Sequence, residues 1–224
     1  MLNEIKGNSE ENPFGFVVLN KPSGITSHDC IQRIRKIFNI RRVGHTGTLD
    51  PAVTGVLPIA LGNATRLIPY LTGSKTYIGS IQLGKNTSTD DLEGEVLSIK
   101  NWPEINSSDI NKYLNKFRGK IQQVPPHVSS ININGERAYK RHRKGEIFQI
   151  KSREIEINEL TLLSWEQSTG QLKIQIDCSA GTYIRSIARD LGKTIGCGGC
   201  LANLNRIQTL GFTIDQAINL PNIS

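Results

Sequence analysis

The stretch QLKIQIDCSAGTYIRSIARDLG, residues 171–192, joins two different periodicities in 22 residues. Its first part alternates, so Leu172, Ile174, Ile176 and Cys178 share one face, the pattern of a half-buried strand. Its second part repeats at helical spacing through Ile184, Ile187, Ala188 and Leu191, with Thr182 placed to cap the start and Gly192 to end it. A strand running straight into an amphipathic helix sets the pattern to look for elsewhere.

Working outward, GFVVLNKPSG reads as a short buried strand closed by a Pro-Ser-Gly turn. Thr26 then opens a helix with Asp29 as its capping-box partner and Ile31, Ile34, Ile37 and Phe38 as its apolar stripe. VLPIALG is apolar enough for an interior segment. KTYIGSIQLG reads as a strand whose acidic turn, TSTDDLEGE, leads into a partner strand, EVLSI. SSDINKYLNKFRG is an amphipathic helix on Ile110, Tyr113, Leu114 and Phe117, ending at Gly119, and QVPPHVSS an extended loop. Strands and helices mix without regular alternation, so the class is α+β, with a mixed, mostly antiparallel central sheet flanked by helices and loops.

A chain of 224 residues buries enough surface to need no staples, and one large domain, or two sharing a sheet, is expected. Residues 1–13 are polar and mixed in charge, without an apolar core or cleavage pattern, and read as a mobile tail on a non-secreted protein. No apolar run reaches the length of a membrane span. Cys30, Cys178, Cys197 and Cys200 are too few and too unevenly spaced for a disulfide framework, which fits reduced thiols and a cytoplasmic home. The single CxxC in GCGGC, residues 196–200, has no second pair and no His cluster, so a glycine loop is favoured over a zinc or redox site. A monomer is expected.

The net charge of +7 points toward polyanions. The charge is clustered: Arg33, Arg35, Lys36, Arg41 and Arg42 fall in CIQRIRKIFNIRR, and Arg137, Lys140, Arg141 and Arg143 in RAYKRHRK, both without acid. These are candidate phosphate-backbone contacts, although such clusters are often plain solvated faces.

In GHTGTLDPAVTGVLP, residues 44–58, three glycines and two prolines surround one aspartate. Asp50 precedes Pro51, which favours extended geometry there, and at neutral pH its carboxylate could be nucleophile, base or cation partner. An Asx-type turn residue is the plainer alternative. Arg185 falls near its helix's positive end, where a nearby carboxylate or phosphate would offset the unfavourable dipole; the alternative is a surface arginine. Tyr77 shares a strand face with Ile81 and Leu83, so its ring is either core or a platform for a base, and Tyr183 could stack likewise. His45 is either a loop histidine or an RNA contact.

Together these stretches resemble the TruB-type tRNA pseudouridine synthases. GHTGTLDPAVTGVLP resembles that family's catalytic signature, NKPSGITS its first motif, KTYIGSIQLG its tyrosine strand, GKNTSTDDLEGEV its threonine-rich turn and CSAGTYIRSIARDLG its arginine motif, in family order from about residue 15 to 217. The resemblance implies the pseudouridine synthase fold over residues 14–224, with an inserted subregion near 121–160 and no C-terminal PUA domain. It implies an isomerase that converts the T-loop uridine of tRNA, position 55 in tRNA numbering, to pseudouridine on a flipped-out base. Asp50 would be the nucleophile, Tyr77 would stack on the uracil and assist removal of its C5 proton, and Arg185 would pair with Asp50. His45 would occupy space vacated in the T loop, with Tyr183 and Leu204 lining the pocket. The partner would be the tRNA T stem-loop; no cofactor, metal or membrane is implied.

The chain departs from the family pattern at Val128, Ser130 and Asn132, where Tyr, Ala and Lys are common, and at Asn205, more often arginine. Three rivals remain: a tRNA-folding chaperone, a member of the guide-dependent archaeal and eukaryotic branch, and a metal-dependent nuclease built on Asp90, Asp91, Glu93 and Glu95.

Overall fold

In the computed structural model, which describes residues 13–220, the alternation at Gln171–Cys178 forms a strand with Leu172, Ile174, Ile176 and Cys178 buried. The chain divides into two units, one built from the chain up to Thr72 and from Phe212 onward, the other from Gly73–Gly211. Apart from Pro13, the expected N-terminal tail lies outside the described residues.

The first unit begins with β1 (Gly15–Lys21), α1 (Ser27–Phe38), β2 (Val43–His45) and β3 (Thr54–Leu61), followed by a 3₁₀ segment, Gly62–Tyr70. β3 is buried from Gly55 to Leu61, which accounts for its near-continuous apolar sequence. β1 lies antiparallel to it from Gly15↔Leu61 to Lys21↔Gly55, and β2 pairs with it antiparallel at Val43↔Leu61 to His45↔Ile59.

The capping box of α1 forms as expected. The Asp29 N–H donates to Thr26 Oγ1 at 3.0 Å, and the Thr26 N–H donates to Asp29 Oδ2 at 2.8 Å. Ile31 and Ile34 are buried, while Ile37 and Phe38 are only partly covered. Hydrogen bonds from Thr26 hold the Asp29 carboxyl below its ordinary range. Thr26→Ala should therefore cost about 1 kcal/mol in urea unfolding near neutral pH. Because the folded-state pKa of Asp29 is depressed, the Asp29 contribution is full above the ordinary carboxylate range and is lost as pH falls through the lowered value, so the difference from wild type should shrink on acidification.

The second unit contains β4 (Lys75–Leu83), β5 (Lys85–Thr87), β6 (Val96–Ile99), α2 (Ser107–Asn115), β7 (Gly119–Gln123), β8 (Asn132–Ile133), β9 (Glu136–Arg137), α3 (Ala138–Arg143), β10 (Arg153–Glu166), β11 (Gln171–Cys178), α4 (Ile184–Ile195) and β12 (Gly199–Thr209). Its sheet has the order β12-β4-β11-β10-β7, every neighbouring pair antiparallel. α4 packs on β12 and β4, and α2 on β10. The chain then returns to the first unit through β13 (Phe212–Thr213) and β14 (Ile218–Asn219), the latter parallel to β1. The expected α+β class, with a mixed, mostly antiparallel sheet, is what the chain forms.

Three local expectations are corrected. EVLSI pairs with β5, not with the KTYIGSIQLG strand, because both edges of β4 are occupied, by β11 and β12. The N-cap of α4 is Tyr183, not Thr182, and the helix runs past Gly192 to Ile195, with Gly196 as its left-handed C-cap at φ 97°. Gly119 opens β7, whereas α2 ends at Asn115. In GCGGC, Gly196 and Gly198 have positive φ and form the expected turn, but Cys200 is already in β12. Cys197 and Cys200 are buried, which raises both thiols, Cys200 to about 11.

Candidate active site

The loop bearing Asp50 is held from beneath by the NKPSGITS segment. The Asp50 carbonyl accepts from the Val53 N–H at 3.0 Å, so the turn closes through main chain with Pro51 at its second position. The Pro51 carbonyl accepts from Lys21 Nζ and from the Gly24 N–H, each at 3.0 Å. Ser27 Oγ accepts from the Leu49 N–H at 2.9 Å and donates to the Leu49 carbonyl at 3.0 Å. Residues on both sides of Asp50 are thus fixed by residues 21–27. Gly44 allows close packing, since a Cβ there would lie 2.8 Å from Ile68 Cδ1. His45, at the end of β2, is half-buried.

Lys21 is fully buried at the end of β1 and also donates to the carbonyls of Pro22 at 2.8 Å and Ile25 at 2.7 Å. Burial pulls its ammonium below the ordinary range, opposed by the charges of Cys30, Asp50 and Asp29. Sequence reading missed Lys21, yet alternation along β1 already placed it on the face of Val17 and Leu19.

In the second unit Tyr77 lies at mid-sheet, opposite Ile176 on β11 and Arg206 on β12, and is 7% exposed. Leu204 faces Gly79, two positions along the same face; a Cβ on Gly79 would lie 2.8 Å from Leu204 Cδ1, so the glycine makes room for it. Tyr77 and Leu204 therefore share one face. Arg206, which sequence reading did not single out, stands on that face directly across from Tyr77.

Arg185 is buried, not on the surface. It donates to the carbonyls of Thr89 at 3.1 Å and Val128 at 3.0 Å and lies 3.6 Å from Asp91 Oδ2. One helical turn on, Arg189 pairs with Asp90 at 2.8 Å and donates to the Val124 carbonyl at 2.8 Å. Burial raises the Asp90 carboxyl, opposed by Arg189 and Arg185. The acidic turn and the QVPPHVSS loop are thereby tied to α4 by two guanidinium groups. Asp90 and Asp91 are thus partners of arginines.

The Tyr183 main chain is bracketed by Gln123, which accepts from its N–H at 2.9 Å and donates to its carbonyl at 3.1 Å. Arg153 lies over its ring, 4.8 Å from the centroid. The departures at Val128 and Ser130 are absorbed by main chain, because their carbonyls accept from Arg185 and Arg137. Asn132 accepts from the Gly135 N–H at 2.8 Å and closes the hairpin over Asn134-Gly135, both at positive φ.

Of the candidate phosphate contacts, Lys36, Arg41 and Arg42 are exposed and Arg33 and Arg35 half-buried; Arg42 donates to Asn63 at 2.9 Å. In the second cluster Lys140 is exposed, Arg143 lies over the Tyr139 ring and Arg137 donates to Ser130. Arg141 pairs with Glu146 at 2.6 Å, so an acid just outside RAYKRHRK offsets part of its charge.

Comparison with known proteins identifies the fold and the family. A crystal structure of a Cbf5-Nop10-Gar1 complex superposes with a TM-score of 0.72 at 29% identity, covering 92% of this chain and 52% of that one. A structure of an H/ACA RNP bound to a substrate RNA containing 2'-deoxyuridine gives 0.68 at 27% identity, covering 95% and 58%. The fold is that of the pseudouridine synthases. The N-terminal domain model of the TruB family pseudouridylate synthases matches residues 35–184, and the chain belongs to that family. The tRNA pseudouridine synthase B of Prochlorococcus marinus (strain MIT 9313) is 60% identical over 94% of this chain, and that of Synechococcus sp. (strain CC9311) 57% identical over 93%. The chain spans 66% of the length of the first and 70% of the second.

Proposed function

We propose that this chain isomerises the uridine at position 55 in the T loop of tRNA to pseudouridine. The observation that carries the reading is the 56–60% identity to tRNA pseudouridine synthases B over more than nine-tenths of the chain. The identity also favours a tRNA enzyme over the guide-dependent branch, whose structures are 27–29% identical. Asp50 is the nucleophile, on a turn fixed by Lys21, Gly24 and Ser27. Tyr77 receives the flipped base and takes its C5 proton, Leu204 and Tyr183 line the pocket, and Arg185 keeps the carboxylate ionised and oriented. His45 fills space left in the T loop, and the two basic clusters hold the stem phosphates. The protein acts as a monomer in the cytoplasm; among the described residues no helix is long and apolar enough to cross a membrane.

The test is incubation with an unmodified tRNA transcript, chelator present, beside a transcript whose target uridine is cytidine, followed by chemical labelling and primer extension. Pseudouridine at that single position, absent from the second transcript, is expected. Tight binding by folded protein without any pseudouridine would move the assignment to a tRNA chaperone, and activity abolished by chelator would reopen the metal-dependent reading.

A further inference from the structure

Arg206 is 1% exposed, among the largest fully buried side chains of the molecule, and nothing in the reaction as assigned above uses it. It stands directly across from Tyr77, and a bulge in β12 follows it immediately, between Arg206 and Gln208. Such bulges re-aim a side chain while leaving the rest of the ladder in place. Burial acts to lower the Arg206 pKa, and Tyr77 raises it again through charge and a hydrogen bond. A guanidinium does not give up its proton in a protein, so Arg206 stands as a fixed buried cation directly across the ladder from the Tyr77 ring.

The other groups around Tyr77 do not duplicate this effect. Ile176 faces it from β11. Lys75, two positions along β4, is opposite Cys178, whose thiol burial pushes up to about 12. Burial and Arg206 both lower the Lys75 ammonium. Arg185, on the helix packed against β4 and β12, is engaged by Thr89, Val128 and Asp91. Asp177, on the opposite face, accepts from Thr76 at 2.7 Å.

We propose that Arg206 is the positioning residue for Tyr77: its N–H donates to the phenol oxygen, fixes the ring beneath the base, and steadies the phenolate that accepts the C5 proton. This rests on the pseudouridine synthase reading. In the step concerned, the C5–H bond of the C5-linked intermediate breaks and its electron pair restores the ring double bond. The proton moves to the Tyr77 phenolate oxygen, N1 takes a proton from water, and the Tyr77 hydroxyl returns its proton to the hydroxide so formed, which restores the phenolate and balances the isomerisation.

The test compares wild type, Tyr77→Phe, Arg206→Gln and Arg206→Lys. Tyrosinate absorbance is followed against pH, the difference from Tyr77→Phe isolating one phenol. In Arg206→Gln the Tyr77 titration should move up by about one pH unit or more. The single-turnover rate near neutral pH should fall roughly 10- to 100-fold, with tRNA affinity within about twofold of wild type. Arg206→Lys, a point charge without the planar fork, should lie between. An unmoved Tyr77 titration in a folded variant, or a loss confined to tRNA affinity, would overturn the proposal. If Arg206→Gln fails to fold, Arg206→Lys decides: wild-type titration and rate together would overturn the proposal, and intermediate values support it. A wild type that forms no pseudouridine sinks the enzyme reading instead, while the titration still judges the Arg206–Tyr77 coupling.

Discussion

Asp50→Asn should leave a folded protein that binds tRNA and forms pseudouridine at least about 10⁴-fold more slowly in single turnover, the scale on which removal of a nucleophile acts. The amide is nearly isosteric, and the Asp50–Val53 turn closes through a carbonyl that the substitution retains. The contacts of Lys21, Gly24 and Ser27 fall on Pro51 and Leu49, so the loop keeps its anchors. What changes is charge. The buried Lys21 loses one of the anionic neighbours that oppose its desolvation, so a modest fall in melting temperature should accompany the loss of activity. A residual rate within about tenfold of wild type would remove Asp50 from the nucleophile role. Normal activity together with a lower melting temperature would leave it a structural turn residue.

The parts of this molecule legible in the sequence are those where one local pattern has one physical reading. Thr26 and Asp29 announce a helix start because no other arrangement satisfies both groups so cheaply, and the alternation from Leu172 to Cys178 has a single solution on a sheet. The Asp50 loop stood out because three glycines and two prolines in 15 residues restrict the backbone whatever packs around it. Less legible were the groups whose role depends on a distant strand. Arg206 lies on the face of Leu204 by simple alternation, but its burial follows from β4 pairing beside it, a register with no local signature. Lys21 was hidden for the same reason, since its acceptors include Pro51, thirty residues away. The end of α4 was misjudged because glycine has two uses at a helix terminus: Gly196 supplies a left-handed backbone, whereas Gly192 supplies the absence of a side chain.

That difference gives the second large effect. Gly192→Ala should destabilise the protein by about 3 kcal/mol or more, a drop of roughly 6–12 °C in melting temperature for a chain of this size, whereas Gly196→Ala should cost only about 1 kcal/mol. Helix propensity alone points the other way, since alanine favours a helix interior by up to about 1 kcal/mol over glycine. Sterics outweigh it: a Cβ on Gly192 would lie 2.1 Å from the Gly198 carbonyl carbon and 2.2 Å from the Gly199 nitrogen. Both are main-chain atoms of the peptide that leads into β12 and cannot rotate aside. The Gly192 carbonyl also accepts from the N–H groups of Gly196 at 3.0 Å and Gly198 at 2.9 Å, so α4 cannot back away without breaking the turn. A Cβ on Gly196 meets nothing within 4 Å, and only its positive φ resists substitution. Because α4 carries Arg185 and β12 carries Leu204 and Arg206, Gly192→Ala should also slow catalysis at temperatures where it remains folded; Gly196→Ala should not. Urea unfolding and single-turnover rates on both variants decide it. Equal stability losses would mean that Gly192 serves the backbone and not the contact, and a stable Gly192→Ala protein would mean that the close approach of α4 to β12 is not required.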